Sequence, residues 1–232
     1  MNKRNKDRLY ADLKREILTL ELEPGANLDE TSLSAKYGIS RTPLREVFRQ
    51  LAGDGYIEIR DNRGTIVSPM NHKSMRDFFM TAPLVYASVS RLAAQNARSE
   101  QIRDLREVQA NFRRAARSGS VEDLVFWNDR FHLAIGEIAD NQYLMPSLRR
   151  LLIDHARIGQ TFWRARNAEM RQRIETAADQ HDRLIDAIEA GDEETAVALT
   201  LDHWALSRDH MEMFVRPDPL PIPSGFAAAE VE

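Results

Sequence analysis

Residues 9–68 read LYADLKREILTLELEPGANLDETSLSAKYGISRTPLREVFRQLAGDGYIEIRDNRGTIVS, and their punctuation decides the fold of the first part of the chain. Leu9, Leu13, Ile17 and Leu20 recur at helical spacing, and Glu23-Pro24-Gly25 stops that helix with a turn. A second short helix is predicted from Glu30 to Tyr37. Gly38, able to take the left-handed conformation, ends it, and Ser40 stands ready to cap a third helix carrying Leu44, Val47, Phe48 and Leu51. Helix, short glycine turn, helix is the helix-turn-helix spacing. The alternating runs Gly55–Arg60 and Thr65–Ser68, joined through Asp61-Asn62-Arg63-Gly64, predict a β-hairpin beside it, a wing.

Outward from this stretch the chain changes character. Five of its ten glycines and three of its nine prolines fall in residues 1–70, whereas beyond Pro69 only Pro83 and Pro146 interrupt it before Arg216. Six helical stretches are predicted, roughly over 72–98, 100–117, 120–139, 142–166, 168–190 and 192–214, with apolar positions such as Ile102, Leu105, Val108 and Phe112 at steps of three and four. The expected fold is mainly α: a winged helix-turn-helix with a small hairpin wing over 1–70, then an all-α antiparallel bundle over 71–215. A Pro-rich, flexible tail is expected over 216–232. The 232 residues suit one large or two modest domains, at about 150 residues each.

Composition narrows the function. No apolar run approaches the roughly 20 residues a bilayer span needs, and the first thirty residues hold no signal core, so no membrane partner and a cytoplasmic location are expected. Zero cysteines exclude disulfides, iron–sulfur centres, thiolate zinc sites and a cysteine nucleophile. Any metal must sit on His, Asp, Glu or Asn. The net charge of −4 is unevenly spread: residues 1–70 hold 12 Lys+Arg against 11 Asp+Glu, the rest 20 against 25. Between residues 36 and 49, Lys36, Arg41, Arg45 and Arg49 face the single acid Glu46. Such a local strip binds phosphate even on an acidic protein.

On the third helix Arg41, Arg45 and Arg49 stand four residues apart and form one ridge opposite Leu44, Val47 and Leu51. Alone, such a row is an ordinary solvated face; beside a glycine turn, a second helix and a wing it points to double-stranded DNA. Arginine matches guanine O6/N7 bidentately, and a recognition helix places its N-terminal residues deepest in the major groove. Arg41 and Arg45 are therefore expected on bases. Thr42 and Arg49 are expected mainly on phosphate, helped by the free N–H groups at Ser40-Arg41-Thr42, and Gly64 at a close approach of the wing tip. The whole of 9–68 resembles the winged helix-turn-helix of the GntR family of bacterial transcription regulators, through its PG turn, its G-I-S-R-T-P-L-R-E stretch and its wing ending R-G-T-I-V. The resemblance implies base contacts by Arg41 and Arg45 and minor-groove insertion at Arg63-Gly64. One departure is Thr31, where many members carry an arginine.

Three later helices each turn one imidazole inward: His132 beside Leu124, Asn128, Phe131 and Ile135; His181 beside Leu184, Ile185 and Ile188; His203 beside Ala196, Leu199 and Leu206. A lone core histidine is usually just hydrogen-bonded. Three facing one interior are harder to dismiss, since neutral imidazoles are common ligands of Zn²⁺ and Ni²⁺. His155, on the stripe of Leu148, Leu151 and Leu152, reads as a satisfied core or pocket-lining residue with nothing to pair with it.

Residues 72–214 resemble the FCD ligand-binding domain of the FadR-type GntR subfamily through WNDRFHLAIGEIADN, DQHDRLIDAIEAGD and TLDHWALS. The resemblance implies a divalent metal ion (Zn, Ni or Mn) on His132, His181 and His203, with Asn128 at the position the family gives to Asp. An amide oxygen coordinates but brings no charge, and neighbouring Asp129 lies about 100° around the helix. It also implies a small carboxylate effector at the open coordination sites, which a buried cation favours on physical grounds. The family's arginine on the first helix of this domain has no counterpart on the first turns of TAPLVYASVSRLAA, so Arg157 or Arg164 is the expected counter-charge. The leading reading is a dimeric, effector-responsive regulator, a repressor, that grips two half-sites roughly one DNA turn apart. The alternatives are a metal-dependent hydrolase using the three-His site to activate water, and an architectural DNA binder whose histidines bond one another.

Overall fold

The computed structural model describes residues 2–60, 64–164 and 167–215. Helix α1 (Asn2–Leu18) buries Leu9, Leu13 and Ile17 completely, each contributing about 1.5–3 kcal/mol of apolar burial. Leu20, at φ +61°, and the Pro24-Gly25 turn then reverse the chain. Strand β1 (Asn27–Leu28) leads into α2 (Glu30–Tyr37), whose N-cap Asp29 accepts the Ser32 amide at 2.7 Å and whose C-cap Gly38 is left-handed at φ +60°. Helix α3 (Arg41–Asp54) follows directly, as expected for a helix-turn-helix.

The wing consists of β2 (Ile57–Arg60) and β3 (Gly64–Val67), antiparallel with Arg60 opposite Gly64. Its turn, with Arg63, lies outside the described residues, as does the tail from Arg216. One feature exceeds the sequence expectation: β1 pairs with the free edge of β3, Asn27 opposite Ile66, making a three-stranded sheet of order β1-β3-β2. Two residues are too short a run for any periodicity to show.

The antiparallel bundle follows as α4 (His72–Asn96), α5 (Ser99–Ser118), α6 (Val121–Ala139), α7 (Leu144–Phe162), α8 (Ala168–Glu189) and α9 (Glu193–Val215). Local caps set these starts: Asn71 closes a capping box with Ser74, Ser120 accepts the Asp123 amide at 3.2 Å, and Asn167 the Met170 amide at 2.8 Å. Helix α7 starts later than expected because the Asn141 side chain accepts from the amides of both Tyr143 and Leu144 at 3.0 Å, holding a turn there.

Helix α7 also joins the two parts. Ile153, 1% exposed, completes the core formed by Leu9, Leu44, Phe48 and Leu51. Gln160 Nε2 donates to the Leu18 carbonyl at 3.0 Å. Gly55, at φ +92°, lies under Arg150; a Cβ there would stand 2.6 Å from Arg150 Cδ. Arg157 Nη1 donates to the Ser68 carbonyl at 2.7 Å while Nη2 pairs with Asp154, which also receives Arg150 at 3.2 Å. The expectation that Arg157 serves an effector is thereby corrected: its guanidinium is fully buried at the contact between winged head and bundle.

Candidate DNA-reading face and candidate metal centre

Helix α3 separates its residues cleanly. Pro43, Leu44, Val47, Phe48 and Leu51 are buried, while Ser40, Arg41, Thr42, Arg45 and Arg49 are exposed on the opposite side. Ser40 is the N-cap but makes no side-chain capping bond, so its hydroxyl and the first amides of the helix remain open to a phosphate. Among the described residues Arg41 and Arg49 form no ion pair. Arg45 Nε reaches Glu30 on α2 at 3.3 Å with its side chain 59% exposed, an acid that the ridge reading overlooked. So exposed a pair is worth about 0–1 kcal/mol and yields readily to a phosphate or base. Lys36, counted in the basic strip, turns back to Glu16 on α1 at 3.3 Å. Gly64 opens β3 at φ +77°, with nothing within 4 Å of where a Cβ would stand.

In the bundle, α6 brings His132, α8 brings His181 and α9 brings His203 to one interior point, and Asn128 is buried one turn before His132 on α6. The ligand atoms of the three histidines lie within 4.8 Å of one another. His181 Nε2 and His203 Nε2 are 3.2 Å apart, and the His181 ring stacks on Phe131 at 3.9 Å. Among the described residues, two buried polar atoms on α6 have no hydrogen-bond partner: His132 Nε2 and, one turn before it, Asn128 Oδ1. Leaving such atoms unpaired costs about 1–3 kcal/mol each, so a chemical occupant is called for. Asp129 turns away, toward Tyr10 and Lys14 in a cleft against α1, as its position on the helix predicted.

Burial holds His203 down to about 3 and His155 down to about 4, and pushes His132 and His181 well below the ordinary imidazole range. All four rings are therefore neutral near pH 7 and able to donate lone pairs. Three uncharged, desolvated and convergent nitrogens, with a buried unpaired amide oxygen one helical turn from the first, fit a borderline divalent cation.

A cavity of about 20 Å³ adjoins the centre, lined by Tyr86, Ser90, His132, His155, Thr200, His203 and Trp204 among others. That is room for about one water, so a larger ligand needs the walls to move. His155 has a partner after all: Tyr86, on α4, lies with its hydroxyl 2.9 Å from His155 Nδ1. Opposite them Thr200 donates to Ser90 at 2.7 Å. Neither arginine expected beside an effector reaches this cavity. Arg157 is held at the Ser68 contact, and Arg164 is exposed in a separate cleft with Arg117, Arg171 and Glu175. Two further residues were missed, Gln109 and Gln180, which accept the outer nitrogens of His181 and His203 at 3.1 and 3.0 Å. A signal existed for Gln109, which occupies an apolar step in the run Ile102, Leu105, Gln109, Phe112.

Comparison with known proteins accounts for both halves. Residues 5–67 match the family model described as bacterial regulatory proteins, gntR family, and residues 87–206 match the FCD domain. An uncharacterized HTH-type transcriptional regulator of Bacillus subtilis, YdhC, is 25% identical over 88% of this chain and 89% of its own. The Escherichia coli transcriptional repressor RspR is 29% identical over 62% of this chain and 63% of its own. The fold matches that of E. coli McbR/YncC with a TM-score of 0.75 at 21% identity, covering 91% of this chain and 99% of that one. Relatives named as regulators lend nothing to the hydrolase reading.

Proposed function

The chain is a DNA-binding transcription regulator that belongs to the GntR family and carries an FCD domain, and we propose that it is a repressor whose hold on its operator is set by a small organic acid beside a divalent metal. In this reading residues 1–70 are the DNA-binding head and 71–215 the sensing and dimerising unit. The protein acts in the cytoplasm, with its DNA.

Convergence of His132, His181 and His203, with orphaned donor atoms on His132 and on Asn128 one turn before it, carries the proposal. These four residues would hold the ion, Zn, Ni or Mn, which supplies a buried positive charge and open coordination sites for a carboxylate. The lining residues of the adjoining cavity include no lysine or arginine, so the ion itself takes the counter-charge role first given to Arg157 and Arg164. Tyr86, His155, Ser90 and Thr200 are the neutral polar groups that would orient the rest of the effector.

On the DNA side, exposed Ser40, Arg41, Thr42, Arg45 and Arg49 supply the major-groove face; Gly64 opens β3 of the wing, and Arg63, its neighbour in sequence, is assigned to the minor groove with it. A homodimer would present two such faces to adjacent half-sites. Its support is exposed apolar side chains: Met80 at 62% and Leu84 at 69% stand one turn apart on α4, and Leu201 is 41% exposed on α9, a helix that packs on α4.

Mobility shifts on the promoter of the protein's own operon test the whole reading, run with metal, with chelator and with a panel of small carboxylates. One acid should change operator affinity in metal-loaded wild type and leave the His132→Ala variant unmoved. Equal metal content in wild type and His132→Ala would sink the metal centre, and turnover without DNA binding would revive the enzyme.

A further inference from the structure

We propose that Gln109 and Gln180 are positioning residues of the metal centre: Gln109 holds His181 with its proton on Nδ1 and a bare Nε2 inward at all times, and Gln180 does the same for His203 when the centre is loaded. This rests on the reading of that centre as a metal site, but it makes a claim of its own about the protein before any metal is added.

Gln109 lies on α5, 2% exposed, and its two amide atoms are both spoken for. Nε2 donates to the Ala178 carbonyl on α8 at 2.8 Å, one turn before His181 on the same helix. That bond fixes which end of the amide faces which way, because the opposite orientation would set two acceptors, Oε1 and the Ala178 carbonyl, against each other. Oε1 is left 3.1 Å from His181 Nδ1. A carbonyl oxygen only accepts, so Nδ1 must carry the proton and Nε2 the lone pair.

Gln180 does the same for His203 from a half-buried position, Oε1 to Nδ1 at 3.0 Å, but with a difference. Among the described hydrogen bonds nothing holds its Nε2, so its amide is free to turn over. The two inward nitrogens are 3.2 Å apart, and two facing lone pairs at that distance repel. Metal-free protein relieves this if Gln180 rotates and donates through Nε2, letting His203 move its proton to Nε2 and donate to His181. Loading restores the Oε1 orientation. Gln109 is thus the rigid member of the pair and Gln180 the one that follows occupancy. Outer-layer partners of this kind change metal affinity by about 10–100-fold when removed.

Two measurements test this on the full-length protein. Long-range proton–nitrogen NMR of the metal-free form should find His181 protonated on Nδ1 in wild type and redistributed toward Nε2 in Gln109→Met; a wild-type His181 protonated on Nε2 overturns the proposal whatever the metal does. Competition of Zn²⁺ against a chelating dye should then show about 10–100-fold weaker binding for Gln109→Met and for Gln180→Met. Gln109→Glu keeps an acceptor toward Nδ1 and should bind at least as tightly as wild type, while destabilising the empty protein by setting a carboxylate against the Ala178 carbonyl. A role in packing alone would move stability and affinity together. Wild type that takes up no Zn²⁺ refutes the metal centre itself, whereas normal loading with both Met variants unchanged refutes only the glutamines.

Discussion

Replacing Asp154 with alanine should loosen the joint between head and bundle about as much as truncating a fully buried apolar side chain there. Among the described residues Asp154 is the one anion beside the guanidinium of Arg157, whose side chain is fully inaccessible, whose Nε has no partner and whose only other acceptor is the Ser68 carbonyl at 2.7 Å. Removing one member of a buried pair leaves an uncompensated charge and costs about 3–5 kcal/mol, which at this chain length lowers the melting temperature by about 6–20 °C. Arg157→Met removes the charge with most of the volume kept. It leaves Asp154 to Arg150 and the Ser68 carbonyl without its donor, at about 1–3 kcal/mol. The double variant should therefore be more stable than Asp154→Ala alone. Urea titration reads this well, since all three tryptophans, Trp127, Trp163 and Trp204, lie in the bundle and their emission can be compared with operator binding by the head. An Asp154→Ala cost under about 1 kcal/mol, or additivity in the double variant, would show that the guanidinium is solvated rather than clamped.

Other consequences can be measured separately. Arg45→Ala should weaken operator binding by about 1–3 kcal/mol and relax base preference, so an unchanged ratio of operator to random-DNA affinity would remove Arg45 from the base-reading set. In metal-free protein His155 is held neutral down to about 4 against an ordinary 6.5. Its depressed pKa contributes stability that is whole above pH 6.5 and is lost as pH falls toward 4, up to about 3 kcal/mol. Thermal melts in chelator from pH 7.5 to 4.5 should show that loss, diminished in His155→Phe; identical profiles would contradict the burial. Leu84→Glu, on the exposed α4 stripe, should convert a dimer to monomer in analytical ultracentrifugation with its circular dichroism intact, and a variant sedimenting as wild type would move the dimer contact elsewhere.

How far the sequence could be read depended on the range over which each interaction acts. Leu9, Leu13 and Ile17, the Gly38 cap and the buried Leu44–Leu51 stripe are local periodicities, and each stands where the spacing put it. The histidines were legible too, because a polar residue on an apolar stripe shows in one helix alone. What escaped needed two helices at once. His155 read as partnerless because Tyr86 lies 69 residues away. Arg157 read as an effector's counter-charge because nothing in α7 tells which of its faces meets the cavity and which meets the wing. Glu30 beside Arg45 was hidden in the same way, by a pairing across the turn between α2 and α3.

The order of residues by itself determined the winged head, the six-helix bundle and the inward direction of Asn128, His132, His181 and His203, since helical period and caps act within a few residues. Tertiary structure alone decided that the three imidazoles meet at one point, that Asn128 Oδ1 and His132 Nε2 are left unsatisfied, that two glutamines stand behind two of the rings, and that Arg157 joins head to bundle. Side-chain partners separated by tens of residues are chosen by how helices pack, and a buried charge or lone pair takes its meaning only from what the packing sets against it.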